Sequence, residues 1–184
     1  MIELKTAREI AIMRRAGGIV AQVLEELRGA VVPGVTTRAL DAQARQGIEQ
    51  RGGQPAFLGY RGFPATLCAS VNDEVVHGIP GDRVLRAGDI IGLDLGAIVD
   101  GYYGDAAITV PVGAVTPEVA RLLDVTREAL QRAIVQATAG SRLENISAAV
   151  QHHAEDAGFS VVRQFVGHGI GKRLHEDQAK LYGR

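Results

Sequence analysis

The stretch IIGLDLGAIVDGYYGDAAITV, residues 90–110, predicts two apolar strands joined by a tight turn. Asp100-Gly101 is the preferred dipeptide for a two-residue hairpin, because both central residues of that turn need positive φ. With this turn, Gly96 lies opposite Asp105 in the paired strands. Because side chains alternate along a strand, five residues share one face of the hairpin: Asp94, Gly96, Ile98, Tyr103 and Asp105.

Two carboxylates, those of Asp94 and Asp105, therefore occupy neighbouring positions on an otherwise apolar hairpin. Diagonal residues of an antiparallel pair lie roughly 7–8 Å apart at the backbone. Side chains that lean inward would hold two cations about 3.5–4 Å apart, with space for them at Gly96. In the alternative interpretation, Asp105 only ends a strand and Asp94 meets a backbone cap or an arginine. We favour a metal site, because two like charges need a strong shared partner.

The composition is that of one globular domain with a sizeable core, since 46% of the 184 residues are hydrophobic and 22% are charged. Twenty basic and 21 acidic side chains give a formal charge of -1, which offers no reason to expect nucleic acid or an acidic membrane as a partner. A single cysteine, Cys68, and an N-terminus without a signal peptide favour a reducing cytoplasm. No apolar run approaches membrane-spanning length.

Helical periodicity predicts a first helix from Thr6 to Leu27, with Thr6 and Glu9 suited to a capping box, and a second helix whose apolar face carries Leu40, Ala44 and Ile48. A strand-rich stretch, residues 66–110, follows, interrupted by tight turns in HGIPGD and RAGD. Two more helices are predicted over residues 116–137 and within AGSRLENISAAVQHHAEDAGF.

The second pair of helices repeats the first. A shift of 106 residues places Gly34 on Gly140 and Gly52 on Gly158, with apolar positions of the two helices also aligned. Chance similarity of two short helices is the alternative. If the repeat is real, the counterpart of the hairpin falls beyond Arg184, and the second half of the chain is incomplete.

Three histidines lie beside glycines. His77 and His168 are each predicted at the end of an apolar strand, in EVVHGIPG and FVGHG, and His175 follows seven residues after His168. An imidazole would complete a carboxylate site for Mn, Fe, Co or Zn, while His77 and His175 would serve as proton donors or oxyanion stabilisers. Taken alone, each histidine is more often structural. His152 and His153 lie on a polar helix face and are interpreted as solvated.

Four segments together resemble the type I methionine aminopeptidases of the pita-bread metallopeptidases: TAREIAIMRRAGGIVA, SVNDEVVHGIPG, LDLGAIVDGYYGDAA and GHGIGKRLHED. The resemblance implies an α+β pita-bread fold, with a pseudo-two-fold repeat of helices around a curved antiparallel sheet. It implies one domain over residues 1–184, divided into a first half, 1–110, and an incomplete second half, 115–184. It also implies two divalent ions, Co, Mn, Fe or Zn, and removal of the initiator methionine from nascent chains whose second residue is small.

The resemblance assigns roles to individual residues. Asp94 would be a terminal ligand of one metal, Asp105 would bridge both and His168 would bind the other. His77 would donate to the substrate beside the scissile peptide, and His175 would hold the scissile carbonyl oxygen. Five residues would line the methionine pocket, with Leu174 at a position where an aromatic is common: Phe57, Tyr60, Phe63, Cys68 and Leu174.

The partners implied are the N-terminal Met-X peptides of nascent chains and the ribosome, with no direct nucleic-acid or membrane contact, and the chain is expected to be a cytoplasmic monomer. The family supplies two further glutamates from C-terminal strands, and this sequence ends before either, with QAKLYGR in place of a proline-rich continuation. We therefore expect impaired activity. One alternative is a non-catalytic pita-bread module that binds peptides or proteins. Another is a proline-specific pita-bread peptidase, but the short N-terminus and the HGIP segment disfavour it.

Overall fold

The computed structural model describes residues 3–176, so the segment QAKLYGR, residues 178–184, lies outside them. The chain divides into two compact units. The sheet unit contains residues 3–115 and 170–175, and the helical unit contains residues 116–169 with Glu176. The assignment of residues 1–184 to one domain stays a prediction. Among the described residues, no helix has both the length and the apolarity required to cross a membrane.

Four antiparallel strands form the sheet: β1 Gln54–Pro55, β2 Leu67–Val71, β3 Ile90–Val99 and β4 Tyr102–Pro111. Strand β3 is central, because β4 pairs with one of its edges and β2 and β1 pair with the other. Asp100 and Gly101 have φ values of 47° and 80°, as the hairpin turn requires. The predicted register is confirmed, with Gly96 opposite Asp105.

Two helices cover one face of this sheet. Helix α1, Ala7–Ala30, begins with the predicted capping box, in which the Glu9 amide donates to the Thr6 hydroxyl and the Thr6 amide donates to the Glu9 carboxylate at 2.8 Å. Helix α2, Thr37–Gln50, begins at the N-cap Thr36 and buries the predicted apolar face. Both predicted helices are confirmed.

The hydrophobic core lies between these helices and the sheet. Alternate residues of β3 point into it, and Ile91, Leu93 and Leu95 have no exposed surface. The helices contribute Val20, Val23, Leu24, Leu27, Leu40, Ala44 and Ile48 to the same core. The other residues of β3, including Asp94 and Gly96, therefore face away from the core and are available for a site.

Helix α1 lies against the backbone of β4 at Gly104. A Cβ atom at this position would lie 2.5 Å from the Ala16 carbonyl carbon, so only glycine permits this approach. The absence of a side chain at Gly104 brings the helix axis close to the sheet.

Two predicted strands are not formed within the described residues. The segment EVVH, residues 74–77, has no strand partner and leaves Val75 59% exposed, and the residues before His168 are also irregular. The loop after β2 is instead attached through Gly78, whose carbonyl accepts from the Ala69 amide at 2.8 Å. Residues 77–82 form no tight turn, and the backbone of Gly81 is instead hydrogen-bonded to the Thr37 hydroxyl through both its amide and its carbonyl. The predicted turn in RAGD is formed.

The helical unit contains α3, Pro117–Gln136, and α4, Leu143–Asp156. Both predicted helices are confirmed, with Thr116 as the N-cap of α3 and Pro117 in its first turn. Helices α2 and α4 each contain 14 residues, and their bounds differ by the 106 residues of the predicted repeat. The two helices aligned by the proposed repeat therefore have equal lengths and equivalent bounds.

The interpretation of both helical histidines as solvated is wrong for one of them. His152 is exposed, whereas the His153 side chain is only 16% exposed and its Nε2 lies 3.2 Å from Glu128 Oε2 of α3. Position 153 follows Ile146 and Val150 at helical spacing and shares their face toward α3. The spacing of these apolar residues is the signal that the sequence interpretation passed over.

Candidate active site

The two hairpin carboxylates meet on the face of β3 and β4 that points away from the core. Both side chains are partly buried, and the Asp94 carboxyl is hydrogen-bonded to Asp105. Burial, followed by the charge and the hydrogen bond of Asp105, raises the pKa of Asp94 to about 7. A bound cation would neutralise the two neighbouring carboxylates in place of a proton on Asp94.

The space at Gly96 is filled by protein rather than left for ions, so this part of the prediction is wrong. A Cβ atom on Gly96 would lie 2.7 Å from Cε1 of Phe57 and 2.8 Å from Cβ of Ala56. Gly96 therefore allows the segment after β1 to pack directly on β3. Its backbone carbonyl also accepts from the Ala56 amide at 3.0 Å.

An apolar cluster lies on the same face as the carboxylates. It contains all five residues predicted to line the methionine pocket, and it adds Ala56, Ile98 and Tyr103, which the resemblance did not assign: Phe57, Tyr60, Phe63, Cys68, Leu174, Ala56, Ile98 and Tyr103. Cys68 of β2 is the register partner of Asp94, so the cluster and the acid pair are adjacent. Residues from sequence positions more than 100 apart are thus brought together.

Cys68 lies in this cluster as an uncharged thiol. Burial, and then the negative charges of Asp94, Asp105 and Asp41, raise its pKa to about 12. A thiol that stays protonated at neutral pH is a poor metal ligand and a suitable wall for an apolar side chain. This chemistry supports a place for Cys68 in the pocket rather than among the metal ligands.

Strand β2 is held in position by an acid that the sequence interpretation missed. Asp41 of α2 accepts hydrogen bonds from the backbone amides of Thr66 and Leu67, both at 2.8 Å. These bonds fix the start of β2 one residue before Cys68. Thr66 and Asp41 are 25 residues apart, so no local sequence signal predicts the contact.

His175 lies beside the apolar cluster, in the segment of residues 170–175 that belongs to the sheet unit. Its Nδ1 is 2.9 Å from the Tyr60 hydroxyl, and the two rings stack with centroids 5.6 Å apart. The preceding residue, Leu174, is buried in the cluster. The structure therefore brings the predicted carbonyl-binding histidine to the wall of the predicted pocket.

His77 occupies an unusual backbone conformation in the loop after β2. Its φ of 60° is in the left-handed region, which is uncommon for residues other than glycine. The next residue holds it there, because the Gly78 amide donates to Ser70 Oγ at 3.1 Å and a Cβ on Gly78 would lie 2.3 Å from the Ala69 carbonyl oxygen. Such held conformations are concentrated at functional sites.

His168 belongs to the helical unit, where its Nδ1 lies 3.2 Å from the Gly169 carbonyl oxygen. Its membership of the metal site stays a prediction. Within residues 3–176, no three side chains of the His, Cys, Asp and Glu types are arranged to hold an ion. Of the predicted ligands, the structure brings Asp94 and Asp105 together, and carboxylate oxygen atoms suit a divalent cation.

The chain is similar to known proteins over its whole length. Its residues 11–184 match metallopeptidase family M24. It is 51% identical over 184 residues to methionine aminopeptidase 1 of Bacillus subtilis, covering 100% of this chain and 74% of that protein.

Solved structures of methionine aminopeptidases are also similar to this chain. The crystal structure of methionine aminopeptidase from Thermotoga maritima has a TM-score of 0.96 and 43% identity, over 100% of this chain and 75% of that one. The enzyme from Rickettsia prowazekii has a TM-score of 0.94 and 39% identity, over the same shares. The described residues form part of the α+β pita-bread fold, as the family resemblance implied. The chain belongs to metallopeptidase family M24.

Proposed function

We propose that this chain is a divalent-metal-dependent aminopeptidase that removes the initiator methionine from nascent proteins. The observation that carries the proposal is that a carboxylate pair and an apolar cluster lie side by side on one face of the sheet. A pair of partly buried carboxylates, Asp94 and Asp105, lies next to an apolar cluster through the pairing of Cys68 with Asp94. The similarity to enzymes named methionine aminopeptidase supports the same reaction.

The apolar cluster would bind the methionine side chain. A thioether chain is flexible and polarizable, so it fits aromatic and aliphatic walls such as those of Phe57, Phe63 and Leu174. The neutral thiol of Cys68 completes such a wall without adding a charge. Binding in this pocket would hold the first peptide bond of the substrate beside the acid pair.

Asp94 and Asp105 would hold the metal ions, proposed to be two ions of Co, Mn, Fe or Zn. When bound, such ions activate the attacking water, bind the free α-amino group and polarise the scissile carbonyl. His175 would donate an N–H to the carbonyl oxygen as negative charge develops on it. His77 would donate to the substrate beside the scissile peptide.

The cytoplasm is the compartment proposed for this activity, because nascent chains are made there and because Cys68 is a free thiol. The substrates would be Met-X N-termini with a small second residue. Action at the ribosome and a monomeric state are part of the same proposal.

The test is release of methionine from a Met-Gly peptide with added Mn²⁺ or Co²⁺. We expect metal-dependent release by this chain and loss of that release in Asp105→Asn, which keeps the shape of the side chain and removes its charge. Asp73→Asn, at an exposed loop carboxylate, is the matched control and should release methionine as the unaltered chain does. N-acetyl-Met-Gly, which lacks a free α-amino group, should not be cleaved.

Equal release of methionine by the chain and by Asp105→Asn would remove the carboxylate pair from the mechanism. Cleavage of the acetylated peptide at the same rate as the free one would show that the α-amino group is not bound. Either result would overturn the proposal.

A further inference from the structure

Tyr60 does more than line the apolar cluster, because its hydroxyl contacts a ring nitrogen of His175. The Oη to Nδ1 distance of 2.9 Å is that of a hydrogen bond between the two groups. The contact joins residues 115 positions apart in the sequence. Because the hydroxyl engages Nδ1, the proposed contact to substrate is assigned to the other ring nitrogen, Nε2.

In a neutral imidazole, a hydrogen bond to one ring nitrogen determines which nitrogen carries the proton, so this contact affects the tautomer of His175. A neutral ring carries one N–H, so one nitrogen donates and the other accepts. To hold a carbonyl oxygen, His175 must carry its proton on Nε2, which leaves Nδ1 as an acceptor. A phenol O–H that donates to Nδ1 stabilises this tautomer and fixes the plane of the ring.

The position of Tyr60 is itself fixed by its local backbone. The turn of residues Tyr60–Gly62 is closed by the Tyr60 amide, which donates to the Phe57 carbonyl at 2.9 Å, and by the Phe63 amide, which donates to the Tyr60 carbonyl at 2.9 Å. Phe57 and Phe63 anchor both ends of the turn in the apolar cluster. The Arg61 guanidinium also lies 5.4 Å from the centroid of the Tyr60 ring.

The His175 side of the contact is anchored in a similar way. The Tyr103 amide donates to the Gly171 carbonyl at 2.9 Å, which ties the segment of residues 170–175 to strand β4. Lys172 Nζ lies 3.7 Å from Glu9 Oε1, and Leu174 is buried. Two restrained backbones therefore present Tyr60 and His175 to each other, as a positioning contact requires.

We propose that Tyr60 is a positioning residue that sets the tautomer and orientation of His175, so that Nε2–H points to the scissile carbonyl oxygen. The proposal rests on the proposed function, because it gives His175 a task in that reaction. It differs from a pocket role for Tyr60 in what the hydroxyl does. A pocket wall needs only the ring, whereas a positioning residue needs the O–H.

The test compares the full chain with Tyr60→Phe, which keeps the ring and its stacking on His175 and removes the hydroxyl. The first readout is ¹⁵N NMR of the histidine side chains near neutral pH, with the His175 signals assigned through His175→Gln. We expect the unaltered chain to show His175 as the Nε2–H tautomer and Tyr60→Phe to show a mixture of tautomers. Thr126→Val is the control, because it removes a side-chain hydroxyl hydrogen bond, to the Leu122 carbonyl of α3, without touching Tyr60 or His175.

The second readout is the kinetics of methionine release from Met-Gly. An interaction that strengthens in the transition state lowers kcat and kcat/KM together when it is lost. We expect Tyr60→Phe to lower both about tenfold and to leave KM nearly unchanged. A residue that only lines the pocket would change KM or neither constant.

The proposal is overturned if His175 gives the same ¹⁵N shifts with and without the Tyr60 hydroxyl, or if Thr126→Val changes them as much. It is also overturned if Tyr60→Phe raises KM with kcat unchanged. The NMR comparison needs no turnover. A chain that releases no methionine but shows the tautomer change would therefore count against the proposed function and in favour of the Tyr60 contact.

Discussion

Replacing Asp94 by asparagine should make the metal-free protein more stable, and more so as the pH rises. Asparagine has the shape of the carboxyl group but cannot ionise. In the unaltered chain, the pKa of Asp94 is raised from 3.8 to about 7, first by burial and then by Asp105. Removing the ionisable group removes the cost of ionising it in the folded state.

The sign follows from the two states of the chain. Below pH 3.8, Asp94 is protonated in both the folded and the unfolded protein, and its contribution to stability is fully present. Between pH 3.8 and about 7, the unfolded chain loses the proton first, so the folded state loses stability with rising pH. Above about pH 7 the loss is complete. At 1.36 kcal/mol per pH unit over this interval, it amounts to about 4 kcal/mol.

The measurement is urea unfolding of EDTA-treated protein at pH 5 and at pH 8. We expect the free-energy advantage of Asp94→Asn over the unaltered chain to grow by about 2–3 kcal/mol between these values, or roughly 5–10 °C in Tm. Asp73→Asn, at an exposed carboxylate, should show no such growth. An advantage that is equal at both pH values would refute the reasoning, because the cost of ionisation would then not be at Asp94.

Three further predictions test the surroundings of the site. Gly104→Ala should destabilise the fold by about 2–3 kcal/mol in urea unfolding, because its Cβ would meet the backbone of α1 at Ala16, and a loss below about 0.5 kcal/mol would contradict the close approach. Leu40→Ala should cost about 3 kcal/mol in the same assay, since Leu40 has no exposed surface, whereas a near-neutral result would mean that the core relaxes around it. Glu9→Gln should reduce the fall of Tm at low pH. Hydrogen bonds from Tyr102 and then Thr6 lower the pKa of Glu9 from 4.5 to about 2, so its contribution to stability is present above pH 4.5 and is lost as the pH falls through about 2. A Tm that falls with pH in the variant as it does in the unaltered chain would exclude this role.

The hairpin and the helices could be predicted from the sequence because their determinants are local. Asp100-Gly101 specifies the turn, and the turn specifies the register that brings Asp94 and Asp105 together. The capping box at Thr6 sets the start of α1. In each case the residues that decide the structure lie within a few positions of one another.

Other features could not be predicted, because they depend on contacts between distant segments. The apolar residues Val75 and Val76 have a high strand propensity, but within residues 3–176 no strand pairs with them, and they lie in a loop that is held at Gly78. The space at Gly96 was expected to hold ions, yet Phe57 occupies it. The assignment of pocket and catalytic residues came from resemblance to a family, since nothing in local spacing connects Tyr60 with His175.

The central claim is that Asp94 and Asp105 form a cation site, and the most direct test is anomalous diffraction from crystals grown with Mn²⁺. The account predicts anomalous density at the metal-ligand distance of about 2.0–2.3 Å from carboxylate oxygens of both residues. It also predicts that this density is absent in Asp105→Asn crystals grown in the same way. Carboxyl groups that stay hydrogen-bonded to each other at saturating Mn²⁺, with no anomalous density beside them, would contradict the claim.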